Sequence, residues 1–406
     1  MWEQIRANRT KSIILVTVMA VMLLAIGYFL GFYIFESGLA GLFIALIIWF
    51  VLSLVAFYSG DSILLSLARA KKIGPKDYPR LYNVVEEMKI ASGLEKMPDV
   101  YIIDDKALNA FATGRDPSKA SVAITSGLLE RLNRDELQGV IAHEIGHIKN
   151  RDVLLMALTA VMLGTIVILA WYVSRLLIFG GVGRSRRSSS GGGGQAQLII
   201  FIVGIVALIL APILAQLIYY AISRKREYLA DASSALYTRY PEGLASALEK
   251  IGGSSVELKT ANKATAPMYI INPFHKKGMS LSNATSTHPP VTERIRILRS
   301  MGGGASFADY DTAYRQVHSG GKRVISESTQ YMAGAVGLRE ASPETKTTGK
   351  AAKEQMTRTR EVGDTMLRLN KYRIVECDCG TKWKIPPNFP DPDVLCTKCG
   401  GRVKVR

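Results

Sequence analysis

The sequence predicts a mainly α integral membrane protein: an α+β zinc-binding domain with a small sheet, assembled between membrane helices and followed by a small C-terminal zinc ribbon. Three observations carry this expectation. HExxH stands at His143, Glu144 and His147 within RDELQGVIAHEIGHIKNR. Four long apolar runs interrupt the chain, and all its cysteines fall in two close pairs near the C-terminus, Cys377 with Cys379 and Cys396 with Cys399.

With 406 residues there is room for two or three domains. Lys and Arg number 51 against 34 Asp and Glu, a net charge of +17 that suits nucleic acid, anionic lipid or an acidic substrate. The cations flank apolar stretches, RANRTK before Ile13 and ARAKK after Leu67. That placement favours a negatively charged bilayer surface, and no nucleic-acid partner is expected. With no cysteine outside the terminal pairs, a secreted disulfide framework is excluded.

Residues 1–60 read as a transmembrane hairpin. Ile13 to Phe35 and Gly38 to Tyr58 carry no charge, and only Glu36 and Ser37 separate them. Each run suffices for a hydrocarbon core of about 30 Å. No A-x-A-like cleavage site follows the first run, which is therefore a retained membrane helix. Arg6, Arg9 and Lys11 precede the hairpin and Arg69, Lys71 and Lys72 follow it, so the positive-inside rule puts both ends in the cytoplasm. The expected location is the cell membrane, multi-pass, with the catalytic domain cytoplasmic.

Residues 61–151 form the first part of that domain. Leu81, Val84, Val85 and Met88 mark an amphipathic helix from Tyr78 to Ala91, ended near Gly93. Val100 to Ile103 and Ser121 to Thr125 read as strands. Between them, Asn109, Ala110, Phe111 and Ala112 either offer an edge to which an extended peptide adds by backbone pairing, or simply pack the core.

The helix that carries HExxH is expected to be buried, since Asn133 and Glu136 form a capping box and Leu137, Val140 and Ile141 an apolar stripe. His143 and His147, one turn apart, project from one face toward a common point. They supply two of the three protein ligands of a catalytic zinc, and Glu144 is placed as general base for the attacking water. The reaction class is peptide hydrolysis.

Residues 152–222 read as a second transmembrane hairpin, with apolar runs Val153 to Ser174 and Leu198 to Ile222 around GGVGRSRRSSSGGGG. If both cross, Arg184, Arg186 and Arg187 lie outside, against the charge bias. Either the first hairpin dominates the orientation or these runs do not fully span, and crossing is the favoured choice. Residues 223–300 return to the catalytic domain. Glu227 and Asp231 stand one helical turn apart. Either Glu227 completes a His-His-Glu ligand set while Asp231 orients a ligating imidazole, or both lie on a solvated acidic helix. Tyr228 is read as packed, and His275 and His318 as non-catalytic for want of ligand-type partners.

With these segments in hand, the chain resembles the HtpX family of integral membrane zinc metalloproteases, relatives of the prenyl-protein CAAX endopeptidases. The resemblance covers roughly residues 1–300 and rests on NAFATG at Asn109 to Gly114, AHEIGHI at Ala142 to Ile148, REYLAD at Arg226 to Asp231 and STHPPVTERI at Ser286 to Ile295. It implies a mainly α integral membrane zincin in which Glu227 is the third ligand of one catalytic Zn2+. It also implies protein and peptide substrates, cleaved at a cytoplasmic site in quality control of damaged or misassembled membrane proteins. His288 and Arg294 would then lie near the metal and serve the oxyanion. From the residues alone, His288 also reads as a cap and Arg294 as a solvated position. Two alternatives stay open: a CAAX-type endopeptidase acting on prenylated peptides, and a non-catalytic membrane scaffold.

Residues 301–370 read as extension and linker, polar and Lys-rich from Thr345 to Arg360, and residues 371–406 as the ribbon. Cys377, Cys379, Cys396 and Cys399 are expected to hold one structural Zn2+ with no open position, each pair followed by a glycine that permits the turn. The first pair is one residue tighter than CxxC, and a redox pair is the rival reading. Trp383 and the basic Lys384, Lys398, Arg402, Lys404 and Arg406 offer a contact surface for substrate, nucleic acid or lipid. The family does not require this module, and the sequence leaves the oligomeric state open.

Overall fold

A computed structural model describes residues 2–157, 224–261, 265–273, 288–321, 323–330, 334–342 and 351–405. Most of the third apolar run, all of the fourth, the Gly/Ser linker and His275 lie outside the described residues.

Helices α1 (Trp2–Phe35) and α2 (Gly38–Leu67) form the N-terminal hairpin. Glu36 takes a left-handed conformation with φ 56° at the reversal, and the Ser37 side chain caps α2 by accepting from the Ala40 amide. Glycines let the helices meet closely: a Cβ on Gly31 would collide with the backbone of Gly41, the small-residue contact that suits helix pairs in lipid. Among the described residues, α2 is the one helix long and apolar enough to cross a membrane. Leu39, Phe43 and Phe50 on it are 75%, 65% and 56% exposed. Farther on, Leu64 and Leu65 turn inward onto the catalytic domain.

That domain contains a four-stranded sheet, β1 (Lys71–Ile73), β2 (Asp99–Ile103), β3 (Ala110–Gly114) and β4 (Ala120–Thr125), in the order β1-β2-β4-β3. β2 and β4 run parallel, and the other pairs are antiparallel. Every residue of β3 and β4 is buried, and their sequences are made mostly of small and apolar residues. Helix α3 (Pro79–Ser92) buries Leu81, Val84, Val85 and Met88 and ends at Gly93 with φ 65°, as its spacing predicts.

Helix α4 (Ser126–Arg131) leads into α5 (Arg134–Lys149), where both halves of the Asn133/Glu136 capping box are present. The Glu136 carboxylate also accepts from Ser246 and Lys250, each at 2.7 Å, tying α5 to α7 (Pro241–Gly253). Helix α6 (Arg224–Thr238) packs on α5 as well, Ser234 donating to the Gly139 carbonyl at 2.7 Å. Two glycines allow these approaches, since a Cβ on Gly139 would sit 2.6 Å from Leu244 N and one on Gly146 3.0 Å from Ser233 Cβ. Gly139→Val is therefore expected to cost about 2–3 kcal/mol, because the obstacle is backbone. Gly146→Ala, facing a side chain, should cost less, and thermal midpoints of the two variants check the order.

Helices α8 (Val291–Arg299), α9 (Phe307–Val317), α10 (Glu327–Gln330) and α11 (Ala351–Leu369) follow. The stretch read as linker is packed onto the domain in its described parts. Arg339 donates to Asp135 at 2.7 Å and to Gln138 at 2.8 Å, and the Ser342 amide donates to Asp135 at 2.9 Å. In α11, Val362 and Met366 join the main core while Thr365 donates to the Asp77 carbonyl. With Arg358, which is also buried and donates to the Glu130 carbonyl at 3.4 Å, these form a narrow stripe, so the composition of the segment remains that of a solvated linker. The chain ends in two antiparallel hairpins, β5 (Arg373–Glu376) with β6 (Lys382–Ile385) and β7 (Asp393–Leu395) with β8 (Arg402–Lys404).

Candidate metal centre

The cap and stripe of α5 bury it from Asp135 to Ile148 with little interruption. His143 and His147 are accordingly 0% and 3% exposed, with Nε2 atoms 3.2 Å apart. From α6, Glu227 brings one carboxylate oxygen 3.6 Å from His143 Nε2 and the other 3.6 Å from His147 Nε2. The three ligand atoms all lie within 4.8 Å of one another. Buried Glu227 Oε2 has no hydrogen-bond partner among the described residues. Two imidazoles and a carboxylate around one point are the donor set of a catalytic zinc, and a cation there would satisfy the orphaned oxygen. The residues fit the metal.

Each imidazole is held from behind. Asp231 Oδ1 lies 2.9 Å from His143 Nδ1, and Asp152 Oδ2 lies 2.9 Å from His147 Nδ1. Accepting the Nδ1 proton fixes the tautomer whose Nε2 lone pair faces Glu227. Burial opposes a charged His143, but Asp231 and Glu227 override it and push its pKa up to about 9. The same negative surroundings draw a divalent ion, which takes the place of the proton. Burial likewise works against a charged Glu227, yet the imidazoles around it hold its carboxyl well below the usual range. Asp152 escaped sequence reasoning: it stands five residues past His147, just beyond the helix, in no helical register.

Arg294 is fully buried and committed. Its Nε and Nη2 donate to Asp231 at 2.8 and 2.6 Å, and its Nη1 donates to the Ile270 carbonyl at 2.9 Å. It is not on a solvated face, and its Nη1 also lies 3.9 Å from Glu227 Oε2, which puts the guanidinium beside the metal ligands. Its fork clamps Asp231, which in turn aims His143. His288 Nε2 lies 3.9 Å from Glu227 Oε2, and burial depresses this imidazole to about 4, so it is neutral at physiological pH. Tyr228 is packed, as read, with its hydroxyl donating to Glu293 and its ring edge-on to Tyr314 at 5.0 Å. His318 Nε2 reaches the same Glu293 at 3.1 Å, away from the metal ligands.

Glu144 is 1% exposed, and neither oxygen has a hydrogen-bond partner among the described residues. Burial raises its pKa against the pull of the two imidazoles, and the Ala112 amide also favours its charged form without making an aligned bond. Ala112 belongs to β3, the outermost strand of the sheet. Part of that edge is covered by the chain itself, because the Ile270 amide donates to the Ala110 carbonyl at 3.0 Å and the Asn109 side chain donates to the Ile271 carbonyl at 3.1 Å. Phe111 packs edge-on against Tyr269 at 5.2 Å. Ala112 is thus the expected edge residue that borders Glu144. A cleft of about 670 Å3 opens at the start of this edge, by Asn109, and reaches the centre through His288 and Arg294, with Leu248, Val256 and Val291 among its walls.

In the ribbon, Cys377 Sγ lies 3.5 Å from Cys399 Sγ and Cys379 Sγ lies 3.6 Å from Cys396 Sγ. All four sulfurs fall within 4.8 Å of one another. These separations are too long for disulfides and suit thiolates about 2.3 Å from a shared zinc. Gly380 and Gly400, with φ 80° and 74°, close the two turns by donating to the carbonyls of Cys377 and Cys396, each at 2.7 Å.

Comparison with known proteins places this arrangement. The profile of peptidase family M48 matches residues 75–302, which include His143, His147 and Glu227. A protease HtpX homolog of Dictyoglomus thermophilum is 46% identical over 301 residues, covering 74% of this chain and 95% of that protein. The homologs of Thermoanaerobacter pseudethanolicus and Streptococcus pneumoniae are 42% and 40% identical over 74% of this chain and 98% and 100% of their own lengths. Among solved structures, that of S. mikatae Ste24p aligns with a TM-score of 0.41 at 20% identity, over 73% of this chain and 67% of that one. From its match over more than half its length and from relatives it spans almost completely, the chain belongs to peptidase family M48 and is a metalloprotease.

Proposed function

We propose that this protein is a membrane-embedded zinc metalloendopeptidase of HtpX type that cleaves misfolded or damaged membrane proteins at a cytoplasmic site. The observation that carries the reading is the convergence of His143 and His147 of α5 with Glu227 of α6 beside a buried, unpartnered Glu144. Zinc bound there supplies Lewis acidity, lowering the pKa of a coordinated water toward neutrality and polarising a peptide carbonyl.

The rest of the chemistry belongs to the side chains. Glu144 accepts a proton from the attacking water as the new C–O bond forms, then returns it to the amine as the C–N bond breaks. Asp231, clamped by Arg294, and Asp152 hold the imidazoles in one tautomer and one orientation. Neutral His288, on the Glu227 side, is suited to donate a hydrogen bond toward developing negative charge. An extended substrate pairs with the β3 edge at Ala112, and the apolar walls of the neighbouring cleft receive a side chain.

The exposed apolar surface of α2 and its glycine contact with α1 support a bilayer setting, and the cations flanking the hairpin support a cytoplasmic catalytic domain. The four sulfurs support a second, structural zinc in the ribbon. In detergent-purified protein, cleavage of casein or an unfolded membrane protein should stop with chelator and return with zinc. Metal analysis should give about two zinc ions per chain, and Cys396→Ser with Cys399→Ser about one, with cleavage retained. A parent that holds one zinc and cleaves nothing would reject the reading.

A further inference from the structure

The metal centre is assembled at the ends of apolar segments. His147 Nδ1 meets Asp152 Oδ2 at 2.9 Å, and Asp152 is the last charged residue before the third charge-free run begins at Val153. Glu227 stands three residues, about 4.5 Å of helix, past Arg224 at the start of α6. Arg224 in turn follows Ile222, the end of the fourth run, by two residues.

Strand β3 makes a third tie. Its Ala112 borders Glu144, and three residues farther on Arg115 lays its guanidinium over the rings of Phe57 and Tyr58, 5.8 and 5.2 Å from their centroids. Those rings close the charge-free run of α2, and the next charged residue is Asp61. Both are exposed. Aromatic residues at the end of an apolar helix, met there by a cation, mark the level where hydrocarbon gives way to headgroups. At about 3.3 Å per extended residue, Ala112 stands about 10 Å from that level. The pieces are held together by one apolar cluster, in which Leu64 and Leu65 of α2 pack with Phe111 of β3 and with Met156 and Ala157 of the third run.

We propose that this protease measures its cut from the bilayer: in a membrane-anchored substrate it hydrolyses bonds about three to seven residues beyond the end of a transmembrane helix. The proposal rests on the membrane-embedded metalloendopeptidase reading and adds to it the place of cleavage. The lower bound is the height of Ala112, about three extended residues. Passing beside one enzyme helix, about 10–12 Å across, adds up to about four more. Residues just past a helix end are ordinarily held by helix capping or by a docked loop, and only a segment that has come loose can extend into the centre. A short reach therefore spares intact membrane proteins and exposes misassembled ones.

The test uses the full chain in liposomes of phosphatidylcholine and phosphatidylglycerol. The substrate is a single transmembrane helix followed by an unstructured run in which one dipeptide, chosen from the cuts made in casein, recurs at short intervals. Three versions are compared: the run directly after the helix, the run after a Gly/Ser spacer of about four residues, and the run with no helix. Cut positions and rates are read by mass spectrometry. Bonds about five residues from the helix end should be cut at least tenfold faster than identical bonds about ten residues out, where tethering alone gives only about a threefold difference. The spacer should move the preferred cut toward the start of the run by its own length, and the free run should be cut slowly and throughout. Cuts that spread along the anchored run, cuts that keep to the same dipeptides after the spacer is added, or an anchored run left intact while the free run is cleaved would each overturn the proposal and leave the protease reading standing. If neither the runs nor casein is cut, the protease reading itself fails.

Discussion

Glu144→Gln is expected to lower kcat by about 1,000-fold while zinc content and thermal midpoint stay at the parental level. The amide keeps the shape of the carboxylate, so a side chain that is 1% exposed can be exchanged without opening a cavity. What it loses is basicity. Glu144 is not among the three groups that meet at the metal position, and its oxygens make no hydrogen bond with a described residue that the exchange would break. The stability cost is therefore small, since the parental protein already buries that carboxylate without a neutralising partner. The measurement pairs a fluorogenic peptide assay with metal analysis on the same preparation. Parental turnover in the variant would show that another group takes the proton; loss of zinc would show that Glu144 helps hold the ion.

The parts of this centre that were legible in the sequence are those written within a single element. His143, Glu144 and His147 share one helix, and the capping box and apolar stripe that bury it are local patterns of the same stretch. Glu227 and Asp231 are likewise one turn apart, though spacing alone could not separate a ligand from a solvated face; the fold does so by carrying both inside. The cysteine pairs with their glycines are similarly local. What stayed hidden depends on distant pieces of chain meeting. Asp152 reaches His147 from beyond a helix end, the Ile270 segment covers part of the β3 edge, and Arg294 meets Asp231 across 63 positions. The packing of α11 was hidden for a compositional reason, because a stripe as thin as Val362, Thr365 and Met366 barely alters a charged sequence.

Arg294→Met is expected to reduce stability by about 3–5 kcal/mol, the cost of leaving one member of a buried pair behind. The arginine and its partner Asp231 are both 0% exposed, and the fork contributes two charge-assisted hydrogen bonds at 2.6 and 2.8 Å. Burial favours a protonated Asp231, but Arg294 and the hydrogen bond to His143 reverse this and lower its pKa. A carboxylate with a depressed folded-state pKa contributes stability above its unfolded pKa and loses it as pH falls through the folded value. The parent should therefore weaken in acid below about pH 4, and the Met variant, already without the clamp, should show a flatter acid limb. Once Asp231 is protonated or turned away it no longer fixes the His143 tautomer, so zinc affinity should also fall by about 10- to 100-fold. Thermal midpoints across pH and chelator competition measure the two effects. The double variant Asp231→Asn, Arg294→Met should regain much of the stability, because it removes the stranded charge together with its partner. A single variant with parental midpoint and zinc affinity but a depressed kcat would show that Arg294 serves the oxyanion directly rather than through Asp231.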